Sequence, residues 1–355
     1  MKQVTYPRIE VQTHPEATGK LAPLGCQGGE VEPDERDLSL AQECSDFFQT
    51  VRKETASGEW KWININKKPE YIKSLYTGDV NRLARIFANM FRDKASYGII
   101  SADFQDVNSS PEGRKRLENH ILLDLDVWQE FTEQNDLAIL DMPRIGNPYG
   151  IIYDHVLISV DTPRHDYFAL KIKELAGQTG KNKPVVLEIG GGYGGLFLQL
   201  TRHDTNIGYV NCDLPETLCL AYYFLKKATN KKISLLTRGV TESDISKNDA
   251  VFVPSLFAQE IACNTDIVYN CHSLSEMGRE TIEQYFHLIH KLQPTYFYHQ
   301  NSNFILFPNS VRHIEIPACS FPLDKKKYQQ VYMALSPWLG GGGRYREFLF
   351  KRQLK

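Results

Sequence analysis

From residue 185 onward, short apolar runs alternate with amphipathic stretches along the chain. Val185–Ile189, Tyr209–Asp213, Ile233–Leu236, Ala250–Pro254, Ile267–Cys271 and Thr295–His299 have strand character. Between them, 193–203, 215–228 and 279–292 carry apolar positions at helical spacing. Parallel strands need long crossovers, and a helix is the usual one, so this alternation predicts a mainly parallel sheet with helices on both faces. The end of the chain breaks the pattern. Val331–Ser336 and Arg346–Arg352 read as strands with only Pro337-Trp338-Leu339 and the run Gly340–Gly343 between them. Two strands without an intervening helix predict an antiparallel pair at the sheet edge.

The first 150 residues follow another period. Residues 1–38 are rich in Pro, Gly, Glu and Thr, and they predict a loosely ordered arm. A helix is expected from Leu38 to about Lys53, with Leu40, Cys44, Phe47, Phe48 and Val51 on one face. Trp60–Asn66 reads as a short strand or a packed loop, and Arg82–Asp93 as a helix. Ser110–Glu133 reads as helical with room for a break, opened by Ser110 as N-cap and Pro111 in the first turn. After a turn at Asn147-Pro148-Tyr149-Gly150, an apolar stretch 151–160 and a helix from His165 to Leu175 lead into the alternating part. Three parts result: an arm, 1–38; a helical region, 39–150; and an α/β domain, 151–355.

Composition narrows the class. With 42% hydrophobic residues among 355, a sizeable core is available. The 41 basic and 43 acidic residues nearly cancel, which gives no electrostatic case for nucleic acid or an anionic membrane as partner. No apolar run reaches the length of a membrane span, and the N-terminus lacks the apolar core of a signal peptide. The seven cysteines are scattered, with no C-x-x-C pair, as suits a reduced cytoplasmic setting without structural zinc.

The candidate chemistry starts at Glu188-Ile189-Gly190-Gly191-Gly192-Tyr193-Gly194-Gly195. Strand, glycine turn and helix bring backbone close to a nucleotide-like ligand. Gly190, Gly192 and Gly195 fit a dinucleotide spacing, which is weak evidence alone. Glu188 is the sharper clue. A carboxylate beside the turn repels a pyrophosphate but suits S-adenosylmethionine, which has no phosphate and carries an ammonium and a sulfonium. Asp213, at the end of the next strand, can accept hydrogen bonds from ribose hydroxyls or act as an N-cap. Ligands of open α/β sheets sit outside the carboxyl ends of strands, which brings Asn270 and His272 near the methyl donor. Transfer to a hydroxyl needs a group to take its proton, and His272 is the candidate base; a structural histidine is the alternative. Glu276, one turn later, could orient it or bind an acceptor hydroxyl. Arg164-His165 and His299 also fall where they could line an acceptor pocket, although a solvated helix start is the favoured reading of Arg164-His165. No D-x-D or H-x-x-x-H cluster demands a metal, and a divalent cation is allowed rather than indicated.

The E-x-G-x-G-x-G form resembles the first signature of class I S-adenosylmethionine-dependent methyltransferases. Residues 145–352 resemble the sugar O-methyltransferase family within that class. The resemblance is carried by Gly146-Asn147-Pro148-Tyr149-Gly150, Leu187–Gly195, Asp213-Leu214-Pro215, Asn270-Cys271-His272-Ser273-Leu274-Ser275-Glu276-Met277 and Tyr345–Arg352. It implies a Rossmann-like sheet with a reversed terminal pair and S-adenosylmethionine as cofactor, with S-adenosylhomocysteine as product. It implies cofactor contacts from Glu188, Gly190, Gly191, Gly192, Asp213, Leu214, Ser255 and Asn270, with Ser255 or backbone beside the adenine. Tyr149 joins Arg164, His165 and His299 as substrate-binding candidates. The implied acceptor is a sugar or glycan hydroxyl. The residues themselves leave open a phenol or polyketide acceptor, a non-catalytic binding protein and self-association through the helical region. A nicotinamide-dependent oxidoreductase is disfavoured by Glu188 and the reversed strands.

Overall fold

A computed structural model describes residues 29–51, 56–153, 155–303, 316–338 and 344–353. Most of the expected arm and the run Gly340–Gly343 lie outside the described residues.

Among the described residues, six α-helices come first: α1 (Glu35–Val51), α2 (Gly58–Asn66), α3 (Pro69–Thr77), α4 (Val80–Ala88), α5 (Phe104–Asn108) and α6 (Pro111–Thr132). Ser110 caps α6, its hydroxyl accepting from the Gly113 amide at 3.0 Å. The expectation of a strand or loop at Trp60–Asn66 is corrected: that segment is most of α2, with only Ile63 buried. Its aromatic and β-branched content favours extended chain, but tertiary packing overrides so weak a preference. A short hairpin, β1 (Ile151–Tyr153) and β2 (Val156–Ile158), leads to α7 (Thr162–Gln178).

Alternation then begins. It runs through β3 (Val185–Ile189), α8 (Gly195–Arg202), β4 (Gly208–Asp213), α9 (Pro215–Ala228), β5 (Ile233–Leu235), α10 (Glu242–Lys247) and β6 (Ala250–Pro254). It continues with β7 (Ile267–Cys271), α11 (Arg279–Leu292) and β8 (Tyr296–Ser302), and ends in β9 (Tyr328–Leu335) and β10 (Tyr345–Arg352). The strands form one sheet in the order β5-β6-β4-β3-β7-β8-β10-β9. β5 to β8 are parallel, whereas β10 runs antiparallel between β8 and β9. This is the predicted Rossmann-like sheet with a reversed terminal pair. β3 lies at its centre, buried at every residue, as a doubly covered parallel strand requires.

The helical region is a third layer. Helix α9 is buried from Pro215 through Leu225, far more than a helix covering one sheet face needs. Its outer face packs against α1, where the Cys44 and Cys219 thiols each donate to the other's backbone carbonyl. Tyr223 donates to Asp37 at 2.7 Å and Tyr222 to Glu43 at 2.6 Å across the same seam. One apolar core, with members from Leu40 to Leu349, joins the helical layer to one face of the sheet, and a second core covers the other face. No described helix is long and apolar enough to cross a membrane.

Candidate active site

The carboxyl ends of β3, β4, β6 and β7 open into one cleft of about 1030 Å³, its mouth included. That is the crevice where the strand order reverses about β3.

The floor is the glycine turn. Gly190, Gly192 and Gly194 have φ of 74°, 57° and 86°, a region that side chains rarely adopt. A Cβ on Gly190 would strike the Ser273 side chain, and one on Gly191 the Asn211 amide. The glycines therefore allow the turn to pack closely against Ser273 and Asn211. The Asp213 carboxylate pins the turn, accepting from the Gly192 amide at 3.0 Å and the Leu214 amide at 2.7 Å. Burial outweighs these bonds and pushes Asp213 up to about 7. Glu188 is 4% exposed and accepts the Tyr209 hydroxyl. Burial pushes it up to about 8, and the nearby Asp213 adds to this. Two carboxyl groups thus face one cleft, each poised to ionise when a cation or donor arrives.

The wall after β7 carries His272, at φ 65°, a left-handed conformation for a side-chain-bearing residue. Its ring stacks on Tyr345 with centroids 4.5 Å apart. Its Nε2 is buried with no partner among the described residues. Loss of solvent around the ring, reinforced by the charge of Arg164, lowers its pKa to about 3. The imidazole is therefore neutral near pH 7 and, held this far below its usual range, a weak proton acceptor. Glu276 accepts from the Trp60 indole at 3.2 Å.

The roof comes from the helical region. Ser57, Trp60, Gly98 and Ile99 line the cleft from above. Gly58, at φ 58°, lies so close to the Glu276 carbonyl that no Cβ fits there. The Ser57 and Thr281 hydroxyls bond at 2.8 Å, tying the start of α2 to that of α11. Behind Trp60, Lys68 is 1% exposed with its ammonium 4.9 Å from the indole centroid, and burial lowers it to about 8.

Of the residues singled out in the sequence, Glu188, Gly190, Gly191, Gly192, Asp213, Leu214, Ser255, His272, Glu276, Arg164 and His165 all line this cleft. Arg164 is not part of a solvated helix start: it is 7% exposed. His165 bonds the Tyr193 hydroxyl at 3.2 Å, and burial lowers it to about 4. Three residues are not on the cleft lining. Asn270 stands behind it, its amide donating to the Ile189 carbonyl at 2.7 Å and to Ser273 at 2.6 Å. His299 is 1% exposed and stacked on Phe348, within the core on the far face of the sheet. β8 runs on to Ser302, so His299 is inside the strand rather than past its end. Tyr149 is buried in the helical layer, donating to the Ala102 carbonyl at 2.8 Å.

Sequence reading missed Trp60, Ile99 and Thr217 in the lining. Thr217 falls in the first turn of α9, directly after the Asp213 strand end, a position that could have flagged it. Its hydroxyl is buried without a partner among the described residues. For Trp60 only its aromatic context was a signal. No cluster of three or more potential metal ligands occurs among the described residues. Asp266 sits at the opposite end of the sheet, paired with Lys181 at 2.6 Å.

No family model and no curated protein matches the chain. Partial overlaps occur with solved structures. The small RNA methyltransferase HEN1 overlaps 55% of this chain and 25% of its own, at 16% identity and a TM-score of 0.39. This chain thus spans about a quarter of that protein's length. Magnesium protoporphyrin IX methyltransferase from Synechocystis, with bound S-adenosylhomocysteine, overlaps 54% and 84% at 12% identity and a TM-score of 0.37. The glycopeptide N-methyltransferase MtfA, complexed with S-adenosylmethionine, overlaps 52% and 94% at 11% identity and a TM-score of 0.36. The chemistry of this chain is read from its own cleft.

Proposed function

We propose that the chain is an S-adenosylmethionine-dependent O-methyltransferase acting on a sugar or glycan hydroxyl. The observation that carries the proposal is a glycine turn set between two carboxyl groups, the buried Glu188 and the half-buried Asp213, at the carboxyl ends of adjacent parallel strands. Fit supports it: the cleft offers carboxyl groups rather than a phosphate cradle, and the buried Thr217 hydroxyl and His272 Nε2 have no partner among the described residues. Glu188 would hold the ammonium of the donor, Asp213 its ribose hydroxyls, and Ser255 or Leu214 its base. S-adenosylmethionine would supply an electrophilic methyl group. His272, neutral and with Nε2 unpartnered, would take the proton late, once the forming bond between the hydroxyl oxygen and the methyl carbon has made that proton strongly acidic. Glu276 and Trp60 would shape the acceptor end of the cleft. The saccharide assignment is supported by the resemblance of Asn270–Met277 and by the polar groups at that wall.

Titration calorimetry with S-adenosylhomocysteine tests the cofactor assignment, and absence of binding at millimolar ligand would refute it. A panel of sugar, phenol and polyketide acceptors tests the acceptor class. Turnover confined to phenols would overturn the saccharide reading.

A further inference from the structure

Arg164 stands out among the cleft residues. It sits in the first turn of α7, 7% exposed, with Nη2 donating to Asp161 at 2.7 Å. Asp161 is itself engaged, accepting from the Ser101 amide at 3.0 Å and the Ser101 hydroxyl at 2.5 Å. The guanidinium thus shares its one bonded counter-charge with Ser101, and Asp124 acts on it only from a distance. Its Nε and Nη1 are buried and have no partner among the described residues, and the residue borders the cleft. Leaving a buried charged donor unbonded is costly, because its full desolvation penalty goes uncompensated. Two such groups on one side chain at the wall of a ligand cleft mark a place where an acceptor of hydrogen bonds belongs. An oxyanion satisfies both the geometry and the charge. Neighbouring aromatic and thiol groups of β7, Tyr269 and Cys271, are un-ionised at neutral pH and cannot supply that charge.

We propose that Arg164 is the anion anchor of this cleft, its Nε and Nη1 groups taking a carboxylate of the molecule bound there. The carboxylate has two sources: the amino-acid end of the methyl donor, or an acidic group such as a uronate on the acceptor. The first source rests on the cofactor assignment proposed above, and the second does not.

Calorimetry on the full chain separates them. The probes are S-adenosylhomocysteine, 5′-methylthioadenosine, which keeps the nucleoside and sulfur but lacks the amino-acid arm, and D-glucuronate with D-glucose as the neutral control. The variants are Arg164→Gln and, in case the orphaned Asp161 prevents folding, Arg164→Gln with Asp161→Asn; circular dichroism checks the fold of both. If the donor supplies the carboxylate, Arg164→Gln weakens S-adenosylhomocysteine by about 10-fold or more and leaves 5′-methylthioadenosine unchanged. If the acceptor supplies it, S-adenosylhomocysteine is unchanged, while the preference of the wild type for glucuronate over glucose is lost. Either result supports the anchor. A folded variant that binds all four probes as the wild type does overturns it and leaves Arg164 as a brace between Asp161 and α7. Failure of the wild type itself to bind S-adenosylhomocysteine is a different result. It removes the proposed cofactor, while the glucuronate arm still decides the anchor.

Discussion

The floor and the roof of the cleft are built in different ways. The floor, from Glu188 to Asp213, is assembled within one strand–turn–helix–strand unit, and its bonds span about twenty residues of sequence. The roof is tied to the wall by Trp60 and Glu276, and by Ser57 and Thr281, more than two hundred residues apart. A floor of this kind has little freedom to move, since Gly190 is wedged against Ser273, Gly191 against Asn211 and Gly194 against Leu225. The roof rests on a few polar contacts and a half-buried tryptophan. The floor should therefore carry cofactor affinity and the roof the choice of acceptor. Substitutions in the two regions should differ in both size and kind.

The largest expected effect lies on the wall between them. His272→Ala should lower kcat for methyl transfer by about 100- to 10,000-fold, the range for loss of a general base, with S-adenosylhomocysteine affinity unchanged. Normal turnover in that variant would remove His272 from the chemistry. On the floor, Gly190→Val should reduce S-adenosylhomocysteine affinity by about 100-fold or more, measured by calorimetry. A side chain there needs both a positive φ and space held by Ser273. Wild-type affinity in a folded variant would show that the turn does not shape the ligand site.

Glu188 should give a smaller effect with a distinctive pH signature. Its pKa in the free protein is about 8, and a bound ammonium would favour the ionised form and lower it. Binding below pH 8 then releases a proton, so affinity should rise by up to about tenfold per pH unit toward pH 8 and level off above it. Glu188→Gln should flatten that dependence and cost about tenfold in affinity at pH 8. For the folded protein without ligand the sign is opposite. A carboxyl raised from 4.5 to about 8 contributes stability that is present below pH 4.5 and lost as pH rises through 8. Thermal melts of wild type and Glu188→Gln across pH 5–9 should converge at the acid end and separate at the alkaline end.

The smallest effect belongs to the roof. Trp60→Phe keeps most of the apolar surface and loses one hydrogen bond to Glu276, worth about 1 kcal/mol. Acceptor KM should rise several-fold while S-adenosylhomocysteine affinity stays within about twofold. A large loss of cofactor affinity would erase the division between floor and roof.

Much of this was legible in the sequence, for a physical reason. Alternating apolar runs, helix starts such as Ser110-Pro111 and the glycine turn are local, fixed by a few neighbouring residues and by which φ values they allow. The same alternation gave the sheet and its reversed end. The two histidines show the limit. His272 and His299 each close an apolar run, and both invited placement at a strand's carboxyl end. β7 stops at Cys271, so His272 turns out into the cleft, whereas β8 continues to Ser302 and the two-residue period carries His299 to the opposite face.

By itself, then, the sequence determined the elements, the floor of the cleft and the two acids beside it, because backbone conformation and strand period are set locally. The tertiary structure alone decided that α2 forms the roof, that Arg164 is buried with unpartnered donors at the wall, and that His299 and Tyr149 are held away from the cleft. Those placements follow from which faces pack together across the whole chain, and no short stretch of residues encodes them.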